Sequence, residues 1–139
     1  MVDKEVLIQV MGVDAYAAAA GMEVLVAAPG YAEVRMPVAP NILNGHGKVH
    51  GGAIFTLADY ASAIASNMLG EPSMATDGSV SFLRATESGH LIAKAKTVKS
   101  GKRMNFQTVE IFNAKGELVA SFQGGSIKVE GKGRVRPGS

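Results

Sequence analysis

Residues 41–70 read NILNGHGKVHGGAIFTLADYASAIASNMLG, and this stretch decides the fold. It begins as a polar, glycine-containing loop and continues as a helix that we expect from about His50 to about Leu69. At 100° per residue, one side of this helix is apolar, so we expect it to pack against a sheet. That side comprises Ala53, Ile54, Leu57, Ala61, Ile64, Ala65 and Met68.

The opposite side of the same helix carries small residues and a single charge. It comprises Gly52, Phe55, Thr56, Asp59, Ser62, Ala63 and Ser66. A helix face that meets water ordinarily carries several Lys, Glu or Arg residues. Small residues around one carboxylate indicate that a second subunit or a ligand approaches closely here.

Composition narrows the class of protein. A chain of 139 residues with 47% hydrophobic residues is expected to form one domain with a substantial core. The net charge of +2 predicts no nucleic-acid partner, and the absence of cysteine excludes disulfides and a Cys nucleophile. The first residues do not resemble a signal peptide, and polar residues interrupt the longest apolar region. We therefore expect a cytoplasmic protein with no membrane partner.

The segments on either side of the central helix predict an α+β fold. Asp3 and Asp14 are expected to cap two short helices that end at about Met11 and Ala20. Alternating and apolar runs separated by turn residues predict six strands, with the last four as a meander. These strands are expected at residues 22–28, 32–38, 74–83, 91–99, 103–112 and 118–129. An antiparallel sheet of this size needs a cover, and the central helix is the long element that can supply it.

The last predicted strand and the residues after it have two distinctive features. Gly124 and Gly125 interrupt the last strand and predict a bulge or a close approach of two backbones. Residues 130–139 show no periodicity, so we expect a single domain over residues 1–129 followed by a disordered tail.

The start of the central helix is a candidate oxyanion site. The first N–H groups of a helix lack internal partners and carry a partial positive charge. Gly51 and Gly52 allow another group to approach these N–H groups without meeting a Cβ atom. A purely structural turn remains the alternative interpretation of the two glycines.

Asp59 and Asn44 are candidate reactive residues. A carboxylate in a largely apolar setting is expected to have a raised pKa, which suits a nucleophile or general base. The alternative for Asp59 is an ion pair at a subunit contact. Asn44 is placed to orient a carbonyl or a water, although Asn in such a loop is often only a turn residue.

Other kinds of site fit the sequence less well. His46 and His50 are four residues apart, but Gly47 stands where a zinc protease motif has its catalytic Glu. Ser62 and Ser66 have no identifiable His and acid partners for a serine hydrolase. The glycine-rich segments match neither nucleotide-binding fingerprint, so no metal or nucleotide site is predicted.

The combination of NGH at 44–46, HGG at 50–52 and LAD at 57–59, with Asn67 at the helix end, resembles a known family. It is similar to the hotdog-fold acyl-CoA thioesterases of the phenylacetate-pathway (PaaI) type, in the 4-hydroxybenzoyl-CoA thioesterase-like superfamily. The segment SFLR at 81–84 resembles the strand that follows the helix in that family. The resemblance covers roughly residues 21–129, and it implies an antiparallel sheet wrapped around one long helix.

The resemblance also implies an activity, namely hydrolysis of an acyl-CoA thioester to a free acid and coenzyme A. By position, the Gly51 N–H would polarise the thioester carbonyl, and Asp59 would be the nucleophile or the base for water. Asn44 would orient the carbonyl or the water, and His50 would shape the loop. The substrate is expected also to contact Gly52, Phe55, Tyr60, Ala63, Phe82 and Arg84. No metal or redox cofactor is implied.

In this family the site forms between two subunits, and dimers commonly pair into tetramers. The sequence departs from the family pattern at Tyr60 and Ala63, where relatives often carry small hydroxyl residues, and at Ala85, where proline is frequent. The first two changes bear on the acyl pocket, whose preference for aryl or aliphatic groups the sequence leaves open.

Two other functions remain open at this stage: a noncatalytic acyl-CoA-binding protein and a hotdog dehydratase that pairs a His with an acid. A group of basic residues also has two interpretations, a site for the coenzyme A phosphates or a solvated sheet face. This group comprises Lys94, Lys96, Lys99, Lys102 and Arg103.

Overall fold

A computed structural model describes residues 2–129. In this part of the chain, the α-helices are α1 (Lys4–Met11), α2 (Ala15–Ala19) and α3 (Gly51–Asn67). The strands are β1 (Glu23–Ala28), β2 (Tyr31–Pro37), β3 (Ser73–Phe82), β4 (His90–Ser100), β5 (Met104–Asn113) and β6 (Leu118–Lys128). A short 3₁₀ turn, Pro40–Ile42, lies just before and within the stretch expected to be loop. The tail expected at residues 130–139 lies outside the described residues.

The strands form one antiparallel sheet in the order β1-β2-β4-β5-β6-β3. The expected four-strand meander is therefore wrong in one respect, because only β4, β5 and β6 follow one another. β3 pairs with β6 at the far edge, and β2 takes the place beside β4. The spacing of strand-like runs identifies strands but does not specify which of them pair.

Helix α3 lies against the sheet with its predicted apolar side buried. All seven residues predicted for this side are at most 8% exposed, and Leu57, Ala61 and Ile64 are fully buried. They pack in one cluster with inward-facing residues of the sheet such as Val34 and Leu91. Full burial of a Leu or Ile side chain contributes about 1.5–3 kcal/mol, so this side of α3 is a large part of the core.

The opposite side of α3, which carries Asp59 and the small residues, is its open side. It is narrower than the sequence predicts. Ser62 and Ser66 were expected there, but the structure buries both, at 9% and 1% exposure. The Ser66 hydroxyl lies 2.6 Å from the Ser73 hydroxyl and 2.9 Å from the Ser126 hydroxyl, and it accepts a hydrogen bond from Asn105 Nδ2 at 3.1 Å. Polar residues that face inward from the strands thus satisfy a buried serine, which removes the usual cost of its burial.

The glycine pair in β6 marks a close backbone approach, as expected. A Cβ built on Gly124 would lie 2.6 Å from the carbonyl oxygen of Asp77 on β3. The register irregularity occurs between Ala75 and Asp77, so the bulge lies on the neighbouring strand rather than on β6 itself.

The two short N-terminal helices begin where the capping residues predict. The Asp3 carboxylate accepts hydrogen bonds from the N–H groups of Glu5 and Val6, and Asp14 accepts one from Ala17. Such caps are worth about 1 kcal/mol each. They fix α1 and α2 beside α3, where both helices contact it.

Candidate active site

The first turn of α3 leaves one N–H group available. His50 is the N-cap, and its Nδ1 accepts a hydrogen bond from the Gly52 N–H at 2.9 Å. The N–H groups of Ala53 and Ile54 donate to the His50 carbonyl. The Gly51 N–H makes no hydrogen bond with any residue in 2–129. A single free donor at the positive end of the helix dipole is suited to an oxygen that gains negative charge.

His50 therefore shapes the helix start, as expected, and the Gly52 N–H serves the cap. A Cβ built on Gly52 would lie 3.1 Å from His50 Nδ1, so a side chain there would press on the capping imidazole. The glycine at position 52 is explained by this contact.

Phe82 lies beside the free N–H group. A Cβ built on Gly51 would lie 3.1 Å from Phe82 Cζ at the tip of the ring. Phe82 is 57% exposed, so the core does not enclose its ring. Two residues later, Arg84 is exposed and its Nη1 lies 3.4 Å from Glu117 Oε2.

Asn44 organises the loop before α3. Its Oδ1 accepts hydrogen bonds from the N–H groups of His46 (2.9 Å) and Lys48 (3.1 Å). The loop is closed by a bridge between Leu43 and Val49. Because Oδ1 is used within the loop, the Asn44 side chain can act on a substrate only through the Nδ2 donor.

Asp59 lies in a groove between α3, the end of α1 and the start of β3. The groove has a volume of about 410 Å³. Its lining residues are Val10, Met11, Asp59, Ala63, Asn67, Pro72, Ser73, Met74, Ala75 and Val129. The walls are largely apolar, and Asp59 is the one ionisable side chain among these residues.

Burial raises the pKa of the Asp59 carboxyl above its ordinary value of 3.8, and the nearby negative charge of Asp14 raises it further. No Lys or Arg within residues 2–129 forms a salt bridge with Asp59. The ion-pair interpretation therefore has no support within one described subunit. A partly desolvated, unpaired carboxylate in a groove is a typical candidate for a reactive group.

The open side of α3 and strand β3 run alongside each other in opposite directions. Gly51 meets Phe82, and a Cβ built on Gly78 would lie 3.1 Å from Phe55 Cζ. Further along, Asp59 and Ala63 face Met74 and Ala75 across the groove. The Phe55 ring also packs edge-on against Phe122, with ring centroids 5.5 Å apart.

The structure brings some of the predicted residues to this side, whereas Arg84 lines a separate pocket together with Glu117. Ala63 lines the groove, whereas Tyr60 is half-buried against the core and is not among the lining residues. Burial and the charge of Asp14 raise the pKa of the Tyr60 hydroxyl. The side chains of Lys94 and Lys96 lie on the outer face of the sheet, since their neighbours Ala93 and Ala95 are the buried inward residues. Opposite-charge neighbours Glu33 and Glu110 flank Lys94, which favours the interpretation of a solvated face.

The contact of α1 with the site was not predicted from the sequence. Val10 and Met11 line the groove although they precede Asp59 by almost fifty positions. Such a contact depends on how α1 packs across α3, which no local motif encodes.

Within residues 2–129, no group of three or more His, Cys, Asp or Glu side chains is arranged to hold a metal ion. In the same part of the chain, no helix has the length and hydropathy needed to span a bilayer.

The geometry agrees with comparisons to known proteins. A sequence model described as "Thioesterase superfamily" matches residues 46–120, which include the α3 start and Asp59. The chain belongs to the thioesterase superfamily. It is 38% identical to Acyl-coenzyme A thioesterase PaaI of Escherichia coli, with 85% of each chain covered.

Solved structures and a human relative extend this membership. The structure of the E. coli PaaI protein superimposes with a TM-score of 0.83 over 86% of this chain and 87% of that one. This match confirms the expected hotdog fold. Human Acyl-coenzyme A thioesterase 13 is 32% identical over 68% of this chain and 70% of its own length. A protein of Streptococcus pneumoniae described as a hypothetical thioesterase, solved with coenzyme A, is 26% identical and has a TM-score of 0.76 over 80% of this chain and 88% of that one.

Proposed function

We propose that this protein hydrolyses acyl-CoA thioesters to a free acid and coenzyme A. The observation that carries the proposal is the pairing of two features on α3: one free N–H group at Gly51 and one unpaired carboxylate at Asp59. Membership of the thioesterase superfamily, and relatives named acyl-CoA thioesterases, support the same reaction. The neighbour solved with coenzyme A supports the identity of the leaving group.

In the proposed reaction, the Gly51 N–H donates to the thioester carbonyl oxygen. As a nucleophile attacks the carbonyl carbon, negative charge develops on this oxygen, and the helix start stabilises it. Removal of one such donor from an oxyanion site typically costs 10²–10³ in kcat, about 2.7–4 kcal/mol.

Asp59 acts in its ionised form, either as the base that takes a proton from water or as the nucleophile itself. In the first case, the hydroxide equivalent adds to the carbonyl carbon, the C–S bond breaks, and the coenzyme A thiolate leaves and is protonated. In the second, the Asp59 carboxylate attacks the carbonyl carbon, the C–S bond breaks and the coenzyme A thiolate leaves and is protonated, which gives an acyl-aspartyl anhydride. Water then hydrolyses the anhydride, which releases the acid and restores the carboxylate. The raised pKa of the Asp59 carboxyl lies closer to neutral pH than the ordinary value does, and this makes the carboxylate a better base.

Asn44 is proposed to orient the carbonyl through its Nδ2 group. Its Oδ1 is occupied by the N–H groups of His46 and Lys48, which fixes the direction of the amide. The loop thereby holds a second donor in a defined orientation.

We propose that each site is shared between two subunits. Gly51 and Asp59 are eight residues apart on one helix, which places them about 12 Å apart along the helix axis. One thioester carbonyl cannot contact the Gly51 N–H and also lie within hydrogen-bond reach of a nucleophile held by Asp59 of the same subunit. Two copies of α3 packed side by side in opposite directions would bring Gly51 of one subunit to Asp59 of its partner.

Strand β3 is the proposed edge for pairing the two subunits. It has ten residues, pairs with β6 on one side only, and eight of its residues are exposed. Proteins often protect such an edge with Lys, Pro or a bulge. β3 contains no Lys or Pro, and after its bulge the strand is regular from Asp77 to Phe82. Pairing of β3 with a second β3 would extend the sheet and place the open sides of two α3 helices together. Association of two such dimers into a tetramer is part of the same proposal.

The Asp59 half of the shared site is also proposed to receive the acyl group. Ala63 lies one turn beyond Asp59 in the groove, and its small side chain leaves room for the acyl group. Phe55 and Phe82, placed between the Gly51 end and β3, are proposed to contact the substrate near the thioester. Which acyl groups are accepted, the absence of a cofactor and a cytoplasmic location all stay predictions.

The proposal is tested by thiol release from a panel of aryl-CoA and short to long aliphatic acyl-CoA substrates. Wild type is compared with Asp59→Asn and with Glu110→Gln, a matched change of an exposed carboxylate on the outer sheet face. We expect Asp59→Asn to lower kcat by about 10²–10⁴ and Glu110→Gln to leave it unchanged. Near wild-type turnover in Asp59→Asn would contradict the proposed mechanism.

The same panel separates the other functions. A noncatalytic acyl-CoA-binding protein would bind the substrates and release no thiol from any of them. A dehydratase would change the double-bond absorbance without releasing thiol.

A further inference from the structure

The groove beside Asp59 has walls from two parts of the chain. α3 forms the floor of the groove, and β3 forms one of its sides. Both elements lie within the segment that matches the superfamily model. Val10 and Met11, at the end of α1, form the facing wall and lie outside that segment. The reactive carboxylate thus lies inside the matched segment, whereas this wall lies outside it.

Helix α1 is held firmly enough to act as a wall. Asp3 caps its first turn with two hydrogen bonds, and Gly12, with φ of +73°, ends it. Val10 is 3% exposed and belongs to the core cluster. Met11 is partly buried and packs against that cluster while it faces the groove. Val10 therefore anchors the helix end, and Met11 is the side chain that can vary without dismantling the core.

The chemistry of the groove fits an acyl chain better than the polar parts of coenzyme A. Apart from Asp59, its lining residues carry no charge, and no Lys or Arg is among them. The Asp59 carboxylate would repel the phosphates of coenzyme A, whereas methylene groups gain by leaving water for Met and Val side chains. The volume of about 410 Å³ lies within the range of small-molecule sites.

The end of the groove away from Asp59 lies where α3 and β3 are joined. The Ser73 N–H donates to Asn67 Oδ1 at 3.0 Å, which joins the end of α3 to the start of β3. Asn67 lies two turns after Asp59, so this junction is about 12 Å from the carboxylate along the helix axis. A chain that enters beside Asp59 therefore has about 12 Å of groove to fill before it meets the junction.

We infer that the Val10–Met11 end of α1 forms a wall of the acyl-binding groove and that Met11 sets the acyl chain length this enzyme accepts. The inference rests on the proposed thioesterase function and adds a specificity-determining residue to it. Each methylene buried in the groove is expected to raise kcat/KM by about fourfold until the chain reaches the junction of Asn67 and Ser73.

The test is a profile of kcat/KM against chain length, from acetyl-CoA to lauroyl-CoA, for wild type, Met11→Phe and Met11→Ala. Met11→Phe narrows the groove and is expected to lower kcat/KM for decanoyl-CoA and lauroyl-CoA by about tenfold relative to acetyl-CoA. Met11→Ala widens it and is expected to shift the optimum towards longer chains. Ile8→Ala, a change on the exposed side of α1, is the matched control and should leave the profile unchanged.

Thermal unfolding of all four proteins shows whether the variants are folded. Met11→Phe and Met11→Ala are expected to shift the preferred chain length in opposite directions, and general damage to the protein would not do this. A profile unaffected by either change at Met11 in an active enzyme would overturn this inference alone. Equal losses for every chain length would also overturn it, since they would place the pantetheine arm in the groove. A wild-type protein that hydrolyses no acyl-CoA would overturn the proposed function and this inference with it.

Discussion

The two sides of helix α3 differ sharply in how completely they are packed. On the side that faces the sheet, Leu57, Ala58, Ala61 and Ile64 are fully buried. On the open side, Phe55 is 37% exposed and Asp59 is only partly buried in a groove. One helix thus has a closely packed side that faces the sheet and an incompletely packed side that carries Asp59. A reactive carboxylate needs this arrangement, because its position must be fixed while its surroundings admit a substrate.

The buried side should control stability and leave the chemistry of the folded protein alone. Leu57→Ala removes a fully buried side chain and is expected to lower the free energy of unfolding by about 2–5 kcal/mol. Phe55→Ala, on the open side, should cost less stability and should raise KM. Chemical denaturation and steady-state kinetics of both variants measure the contrast. Equal stability losses would show that the two sides are not distinct.

The helix start should control turnover through a single N–H group. Gly51→Pro removes that group, and the backbone of His50, at φ −62° and ψ 136°, already has the extended form preferred before proline. Proline is also well accepted at the first position of a helix. We expect kcat to fall by about 10²–10³.

Gly51→Ala is the matched control, because it keeps the N–H group and adds the same Cβ beside the exposed ring of Phe82. It should retain most of the activity. If both variants lose the same amount, the added Cβ rather than the lost donor is responsible, and the oxyanion role of Gly51 is wrong.

Asp59 should lower the stability of the protein at neutral pH. Burial raises the pKa of its carboxyl, so folding disfavours the ionised form. The contribution of Asp59 to stability is therefore most favourable below pH 3.8 and is lost as pH rises through the raised pKa. Asp59→Asn should increase the melting temperature at pH 7, and this advantage should shrink as pH falls towards 3.8. An advantage that is constant with pH would argue against desolvation as the cause.

The same raised pKa predicts the acid side of the activity profile. Since the ionised carboxylate is the active form, kcat/KM should decline as pH falls through a midpoint above 3.8. A decline centred at or below 3.8 would indicate that the carboxyl is well solvated in the working enzyme.

Much of this architecture could be predicted from the sequence, because it is encoded locally. The period of α3, the caps at Asp3 and Asp14 and the glycines at 51 and 52 each specify their own segment. Three features could not be predicted. The pairing of β3 with β6, the burial of Ser66 and the contact of Met11 with the Asp59 groove all depend on residues far apart in the chain. Of these, the burial of Ser66 was mispredicted because helical period gives direction around the axis but not how far the sheet wraps.

The proposal that one site draws on two subunits is tested most directly by mixing two inactive variants. Asp59→Asn and Gly51→Pro are coexpressed with different affinity tags, and doubly tagged assemblies are purified and assayed for thiol release. In a mixed dimer, one site contains both changes, and the other combines an intact Gly51 with an intact Asp59. Purified mixed dimers should therefore show about half of the wild-type activity, because each of them has one intact site of two. Mixed assemblies as inactive as the parent variants would contradict the shared site and place both defects in every active centre.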